Sequence, residues 1–122
     1  MIHSGVKKII ENNAIGMATV DVSGKPHNIA VACCKVFGNK IIISNVHIKK
    51  SIENIEKNNF VSLVAWNKEW EKACIGFEIV GTAKSYSNGK WFEFVKKLPD
   101  NKDCIIKSAI IITIKKINKL LA

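Results

Sequence analysis

The sequence predicts a mainly β fold: a six-stranded antiparallel barrel carrying a few short helices. Three observations lead there. Apolar residues alternate with polar ones, or run on for a strand's length, in segment after segment. Gly, Pro, Asn and Ser cluster between those segments, as tight turns require. Only short stretches show the wider spacing of an amphipathic helix, so hairpin-linked strands are expected rather than strand–helix–strand crossovers.

Val6 to Asn13 places Val6, Ile9 and Ile10 on one helical face with Lys7, Lys8 and Glu11 between them, and Ser4 stands where a cap is needed. Ile15 to Val22 reads as a strand, ended by the turn Val22-Ser23-Gly24-Lys25-Pro26. His27 to Phe37 reads as a second, longer strand, and Phe37-Gly38-Asn39-Lys40 as a hairpin turn into a third, Lys40 to Ser44. Ile48, Ile52 and Ile55 then recur at helical spacing, with Lys49, Lys50, Glu53, Glu56 and Lys57 facing out and an end near Asn58-Asn59.

Phe60 to Trp66 is the fourth strand, alternating Val61, Leu63 and Ala65 with Ser62, Val64 and Trp66. Asn67 to Lys72 is a polar loop that carries Trp70. Ile75 to Ser87 is a long strand containing Gly76 and Gly81, and glycine inside a strand marks a bend, a bulge or close backbone approach. Trp91 to Leu98 is a short helix stopped by Pro99, with Trp91 and Phe94 as its expected core anchors. Cys104 to Lys115 is the last strand, and Lys116 to Ala122 a tail or helical turn. The long strands near 27–37 and 75–87 are expected to bend and join the halves of the barrel.

A chain of 122 residues with 48% hydrophobic content forms one domain, residues 1–122, with a real core. No apolar run reaches the ~20 residues that cross a bilayer, and the longest, Ala109 to Ile114, is strand-sized. The start of the chain does not read as a signal-peptide core, so a cytoplasmic protein with no membrane partner is expected. The net charge is +9, and every one of the 19 basic residues is Lys. Arg is the residue that reads guanine and stacks on bases, so its absence argues against sequence-specific nucleic-acid recognition. Weak polyanion binding through Lys stays open, as does a plain compositional bias toward Lys, Ile and Asn.

Cys33, Cys34, Cys74 and Cys104 form no C-x-x-C, and His3, His27 and His47 are scattered, so no metal site is expected. Cys33 and Cys34, adjacent in a strand, should point to opposite faces as reduced thiols. No nucleophile–base pair, paired carboxylates or glycine-rich phosphate loop stands out, so any catalysis belongs to a bound cofactor and catalytic residues are unassigned.

Two features point to such a cofactor. Lys49, Lys50 and Ser51 open the central helix, where free N–H groups and the positive end of the dipole favour an anion such as phosphate. A solvated helix end capped by Ser51 is the alternative. Just upstream, Ala30, Ala32 and Cys34 share one face of the second strand and Ile29, Val31 and Cys33 the other. The alanine face leaves room for a planar ring or for tight barrel packing. Trp66 and Trp70 flank a polar loop where they border such a slot or simply pack.

Four segments in order carry a family resemblance: Ile15-Gly16-Met17-Ala18-Thr19-Val20, Gly24-Lys25-Pro26-His27, Lys50-Ser51-Ile52-Glu53-Asn54-Ile55, and Gly76-Phe77-Glu78-Ile79-Val80-Gly81-Thr82-Ala83. Together they resemble the FMN-binding split-barrel family, the group that includes pyridoxamine 5′-phosphate oxidase and the small FMN-binding proteins, from about Ile15 to Ile114. The resemblance implies a six-stranded split barrel, a homodimer, and FMN at the subunit interface. It implies that Lys50 and Ser51, with Lys49, hold the FMN phosphate. It places Ala30, Val31 and Ala32 along the isoalloxazine, Ser44 and Asn45 near the ribityl chain or phosphate, and Trp66 at the ring edge.

The oxidases themselves are longer and hold substrate phosphate with arginines, which this chain lacks. The function expected is therefore an FMN-binding flavoprotein that transfers electrons or acts as an FMN-dependent oxidoreductase on a small molecule, with a small-molecule or protein redox partner. Two alternatives remain: a basic barrel that binds nucleic acid or another polyanion without catalysis, and a deazaflavin- or haem-binding member of the same fold.

Overall fold

A computed structural model of the chain describes residues 4–69, 71–72 and 74–120. Trp70, read above as bordering a slot, lies outside the described residues. The element order is α1 (Ser4–Asn12), β1 (Ile15–Val20), β2 (Pro26–Val31), β3 (Lys35–Phe37), β4 (Lys40–Asn45), α2 (Lys50–Lys57), β5 (Phe60–Trp66), β6 (Gly76–Tyr86), α3 (Lys90–Lys96), a 3-10 turn (Pro99–Asn101) and β7 (Ser108–Lys119). The protein is mainly β, and every strand pairing among the described residues is antiparallel. The sheet has seven strands in the order β2-β1-β5-β6-β7-β4-β3, open at β2 and β3, where six in a barrel were expected.

The extra strand comes from a break in the expected 27–37 strand. Cys33 sits at φ +58°, a left-handed conformation that turns the chain between β2 and β3. Cys33 and Cys34 therefore do not alternate along one strand: Cys33 is exposed and Cys34 fully buried. The alanine face is not sealed inside a barrel either, since Ala30 and Ala32 are both exposed.

The sheet curls so that its two edges share one core. Val31 of β2 and Val36 of β3 join Val6 and Ile10 of α1, Met17, Ile41, Ile43, Leu63, Ile79, Ile110 and Ile112 in a single buried cluster. Each such aliphatic side chain contributes about 1.5–3 kcal/mol by leaving water. α1 packs against β3 and β5, and the Glu11 carboxylate accepts the Val36 N–H at 2.8 Å. A charged oxygen thus satisfies a backbone donor of the β3 edge. α2 packs against β1, β2 and β6, with Ile55 in the core.

The two long strands are β6 and β7, not one near 27–37. β6 shifts register between Val80 and Gly81. A side chain at Gly81 would run into the Thr113 carbonyl of β7, so glycine is what lets the strands stay paired through the irregularity. β7 starts four residues later than expected and continues through the supposed tail, because Lys116, Ile117, Asn118 and Lys119 pair with Val80, Ile79, Glu78 and Phe77.

On the opposite sheet face, α3 buries Val95 against Ile42, Ala109 and Ile111, with Trp91 packed alongside. Phe94, expected as an anchor, is exposed, and Val95 takes that place. No helix among the described residues is long and apolar enough to cross a membrane.

Candidate functional site

The start of α2 is built by Asn45. Its Oδ1 accepts the Ile48 N–H at 2.8 Å, and its Nδ2 donates to the Ser108 hydroxyl at 2.9 Å. The Asn45 carbonyl also accepts the Lys107 N–H at 2.8 Å. This side chain is buried, so its amide is committed to tying the β4–α2 turn to the start of β7. Asn45 acts on the site by fixing where α2 begins.

Ser44 points the other way, as strand alternation requires. Its hydroxyl accepts the Asn101 Nδ2 at 2.8 Å, and the same Asn101 amide donates to the Val95 carbonyl at 2.7 Å. Ser44 therefore faces the α3 side of the sheet and pins the 3-10 turn, whereas Asn45 faces the core.

The helix start itself is left open. Lys49 precedes the first turn in a non-helical conformation and makes no side-chain cap. The first intrahelical bond runs from the Glu53 N–H to the Lys49 carbonyl at 3.1 Å. The N–H groups ahead of it lack helical partners, as at any helix start. Lys49 and Lys50 are exposed. Ser51 is 1% exposed, and its Oγ has no hydrogen-bond partner. Ser51 thus does not cap the helix. A buried hydroxyl left unpaired costs about 1–3 kcal/mol, which makes it unusual in a native fold.

Lys50 also faces the β1–β2 turn. Asp21 is held below its ordinary carboxylate value chiefly by the Ser23 hydroxyl, then by the backbone N–H of Lys25, with the Lys50 ammonium a smaller contributor. Asn54, one turn on, donates to the Thr19 hydroxyl at 2.9 Å. α2 is thereby docked beside the hairpin end of β2, which is a free sheet edge. Along an edge, alternate N–H and C=O groups face outward unpaired.

From that end β2 runs ~17 Å to Val31. Val31 is buried and turns inward, while Ala30 lies on the outer face opposite Gly16. Gly16 in turn faces Val64, and a side chain at Gly16 would approach the Val64 methyl at 3.0 Å. The result is a shallow floor of small residues, continued by a 220 Å³ groove over Gly16, Ala18, Asn28, Ser62, Glu78 and Leu120. Trp66 shares the outer face with Val64, at the end of β5, and is 41% exposed.

Val31, expected along the ring, is buried in the core instead, and the other expected site residues fall into three groups. Lys49, Lys50 and Ser51 gather at the α2 start. Ala30, Ala32 and Trp66 are exposed around the far end of β2 and β5. Ser44 and Asn45 are tied up in structural hydrogen bonds. The sequence reading missed Gly16, Ala18, Asn28 and Glu78 as groove residues; the small side chains of Gly16 and Ala18, alternating with Ile15, Met17 and Thr19, are the signal that could have marked them. Among the described residues no group of His, Cys, Asp and Glu is placed to hold a metal ion.

Comparison with known proteins adds a family. Residues 3–119 match the model of the family described as pyridoxamine 5′-phosphate oxidase. No curated protein matches at a significant level. Among solved structures, HupZ of Group A Streptococcus superposes with a TM-score of 0.88 at 26% identity, covering 98% of this chain and 94% of its own. An FMN-binding protein of Syntrophomonas wolfei superposes with a TM-score of 0.83 at 18% identity, covering 95% of this chain and 84% of its own. An F420 reductase does so with a TM-score of 0.71 at 17% identity, covering 96% and 98%.

Proposed function

Because this chain belongs to the pyridoxamine 5′-phosphate oxidase family, we propose that it is a cytoplasmic, homodimeric flavoprotein that binds FMN and uses it for electron transfer or for reduction of a small molecule. The observation that carries this reading is the Ser51 hydroxyl, buried and unpartnered in the first turn of α2 between Lys50 and the helix body. A phosphate oxygen would supply the missing partner, and the free first-turn N–H groups and the Lys49 and Lys50 ammonium groups would hold its charge.

The ring then follows β2. Running from the α2 start, an elongated cofactor would reach Ala30 and Ala32, where small exposed side chains and the free edge of β2 allow a flat ring close approach to backbone groups. Trp66 lies at that end of the same face. A second copy of the chain would cover the exposed ring and make the site interfacial. Bound flavin supplies reversible electron or hydride transfer. The chain supplies phosphate capture at Lys49, Lys50 and Ser51, orientation along β2, and backbone donors for charge on the ring.

The test is the visible spectrum of the purified protein, followed by heat release and a titration of the apoprotein with FMN. Flavin bands, FMN in the supernatant and at least tenfold weaker binding by the Lys50→Ala/Ser51→Ala variant are expected. A colourless protein that fails to bind added FMN overturns the reading. The same titration with a deazaflavin such as F420 separates the two cofactors. Tighter binding of the deazaflavin would replace FMN at the same residues.

A further inference from the structure

Ser87, Asn88 and Gly89 form the turn between Tyr86, the last residue of β6, and Lys90, the first of α3. The turn holds the one Asn-Gly pair in the sequence. All three residues are exposed. Gly89 sits at φ +89°, in the left-handed region that glycine adopts without strain, and nothing lies within 4 Å of where its Cβ would be. Its carbonyl accepts the Glu93 N–H at 3.0 Å. Among the described residues neither its own N–H nor the Asn88 carboxamide has a hydrogen-bond partner.

Other carboxamides are held differently. Those of Asn45, Asn54 and Asn101 are buried and donate to Ser108, to Thr19, and to Ser44 and the Val95 carbonyl. The residues that follow them are Val46, Ile55 and Lys102, whose side chains crowd the approach of their own backbone nitrogen to the preceding carboxamide. Asn88 alone combines a mobile, solvated amide with a glycine nitrogen free to reach it.

We infer that Asn88 is a site of spontaneous covalent modification, a deamidation that rewrites the β6–α3 turn as the protein ages. The Gly89 nitrogen gives its proton to hydroxide and attacks the Asn88 Cγ. The new C–N bond closes a five-membered succinimide, and the side-chain amide leaves as ammonia. Water then opens the ring. Attack at the Cγ carbonyl gives aspartate with the backbone intact. Attack at the backbone carbonyl gives isoaspartate, whose main chain runs through Cβ and is one methylene longer. No oxidation or reduction takes place, and water is the only co-reactant.

The turn transmits the change because both of its ends are fixed. Tyr86 pairs with Ala109 of β7. Tyr86 and Trp91 both pack on the cluster formed by Ile42, Val95, Ala109 and Ile111. A longer link between them displaces one side of that packing. The aspartate product keeps the link length and adds a negative charge two residues before the Lys90 ammonium, at the start of α3, where a carboxylate is favourable. The two products therefore act on α3 in opposite senses. The site stands apart from the cofactor residues and does not rest on the flavin reading.

Peptide mapping by mass spectrometry of the purified full chain, aged at pH 8.5 and at pH 6, tests this. The peptide carrying Asn88 is expected to deamidate at least tenfold faster than any other at pH 8.5, with more isoaspartate than aspartate, and at least fivefold more slowly at pH 6. Asn88→Gln, which would need a larger ring, should stop it. Aged protein should melt below both the fresh chain and Asn88→Asp. An Asn88 that stays intact in the folded chain, faster conversion at another Asn, or a rate independent of pH overturns the inference. Identical melting of aged and fresh protein overturns the transmission to α3.

Discussion

The Asn54 amide of α2 donates to the Thr19 hydroxyl of β1 at 2.9 Å, and both side chains are buried. This one bond joins the helix whose start is the candidate phosphate site to the strand that carries Gly16 and Ala18. Thr19→Val removes the acceptor and leaves the Asn54 amide buried and unpaired, so a loss of about 1–3 kcal/mol is expected. Urea unfolding measures it. A Thr19→Val chain as stable as the original would mean that the bond does not hold α2.

Ser51 behaves in the opposite sense. Its hydroxyl has no partner in the chain itself. Ser51→Ala should leave the cofactor-free protein equally stable or more stable by about 1 kcal/mol, and should weaken flavin binding. Thermal melts without ligand and FMN titration of the same preparation read the two effects separately. A clear loss of stability without ligand would show that Ser51 serves the fold rather than a phosphate.

Gly76 and Gly81 lie five residues apart in β6 and predict contrasting outcomes. Gly81→Ala drives a methyl group into the Thr113 carbonyl, whereas at Gly76 a Cβ would meet nothing closer than 3.6 Å. Gly81→Ala should cost about 1–3 kcal/mol or more, and Gly76→Ala less than about 1 kcal/mol. Equal denaturation midpoints for the two variants would place the register shift elsewhere.

The thiols should separate by reactivity. Burial pushes the Cys34 thiol up to about 12, with the neighbouring Cys33 adding to the rise and Lys35 opposing it. Cys33, Cys74 and Cys104 are exposed. Titration with a thiol reagent at pH 8 should label the exposed cysteines promptly and Cys34 only on unfolding. The raised value also sets a pH dependence. The folded state keeps a proton that the unfolded chain releases above 9.0, so this contribution is complete below 9.0 and is lost as the pH rises toward about 12. Cys34→Ala should flatten that alkaline loss.

Much of the architecture could be read from local pattern. The Val61–Leu63–Ala65 alternation located β5 at its observed ends, and Ile52 and Ile55 located α2. Gly81 announced a strand irregularity before its partner was known. What escaped depended on distant contacts. Ala32-Cys33-Cys34 contains no turn residue, so nothing in it foretold the positive φ at Cys33. Lys116 to Lys119 look like a polar tail until Phe77 to Val80 are set beside them. At the candidate site, residue type marked Lys49, Lys50 and Ser51. That the Asn45 amide is spent on Ser108, and Ser44 on Asn101, follows only from the meeting of β4 with segments more than fifty residues away.

The strand order has a consequence for how the chain reaches this state. Among the described residues, β7 follows every other strand in the chain, yet it lies between β6 and β4 and alone links the β3–β4 hairpin to the rest of the sheet. Everything from β1 to β6 can pair early within its own half, but the hairpin must wait for residues 108–119. Closing that gap means joining Lys40 to Thr113 across most of the chain, a long-range step of the kind that slows β-rich folding. Until β7 has been made, the molecule is two unjoined pieces of sheet with a bare edge between them, and a chain cut short before β7 would expose that edge to aggregation.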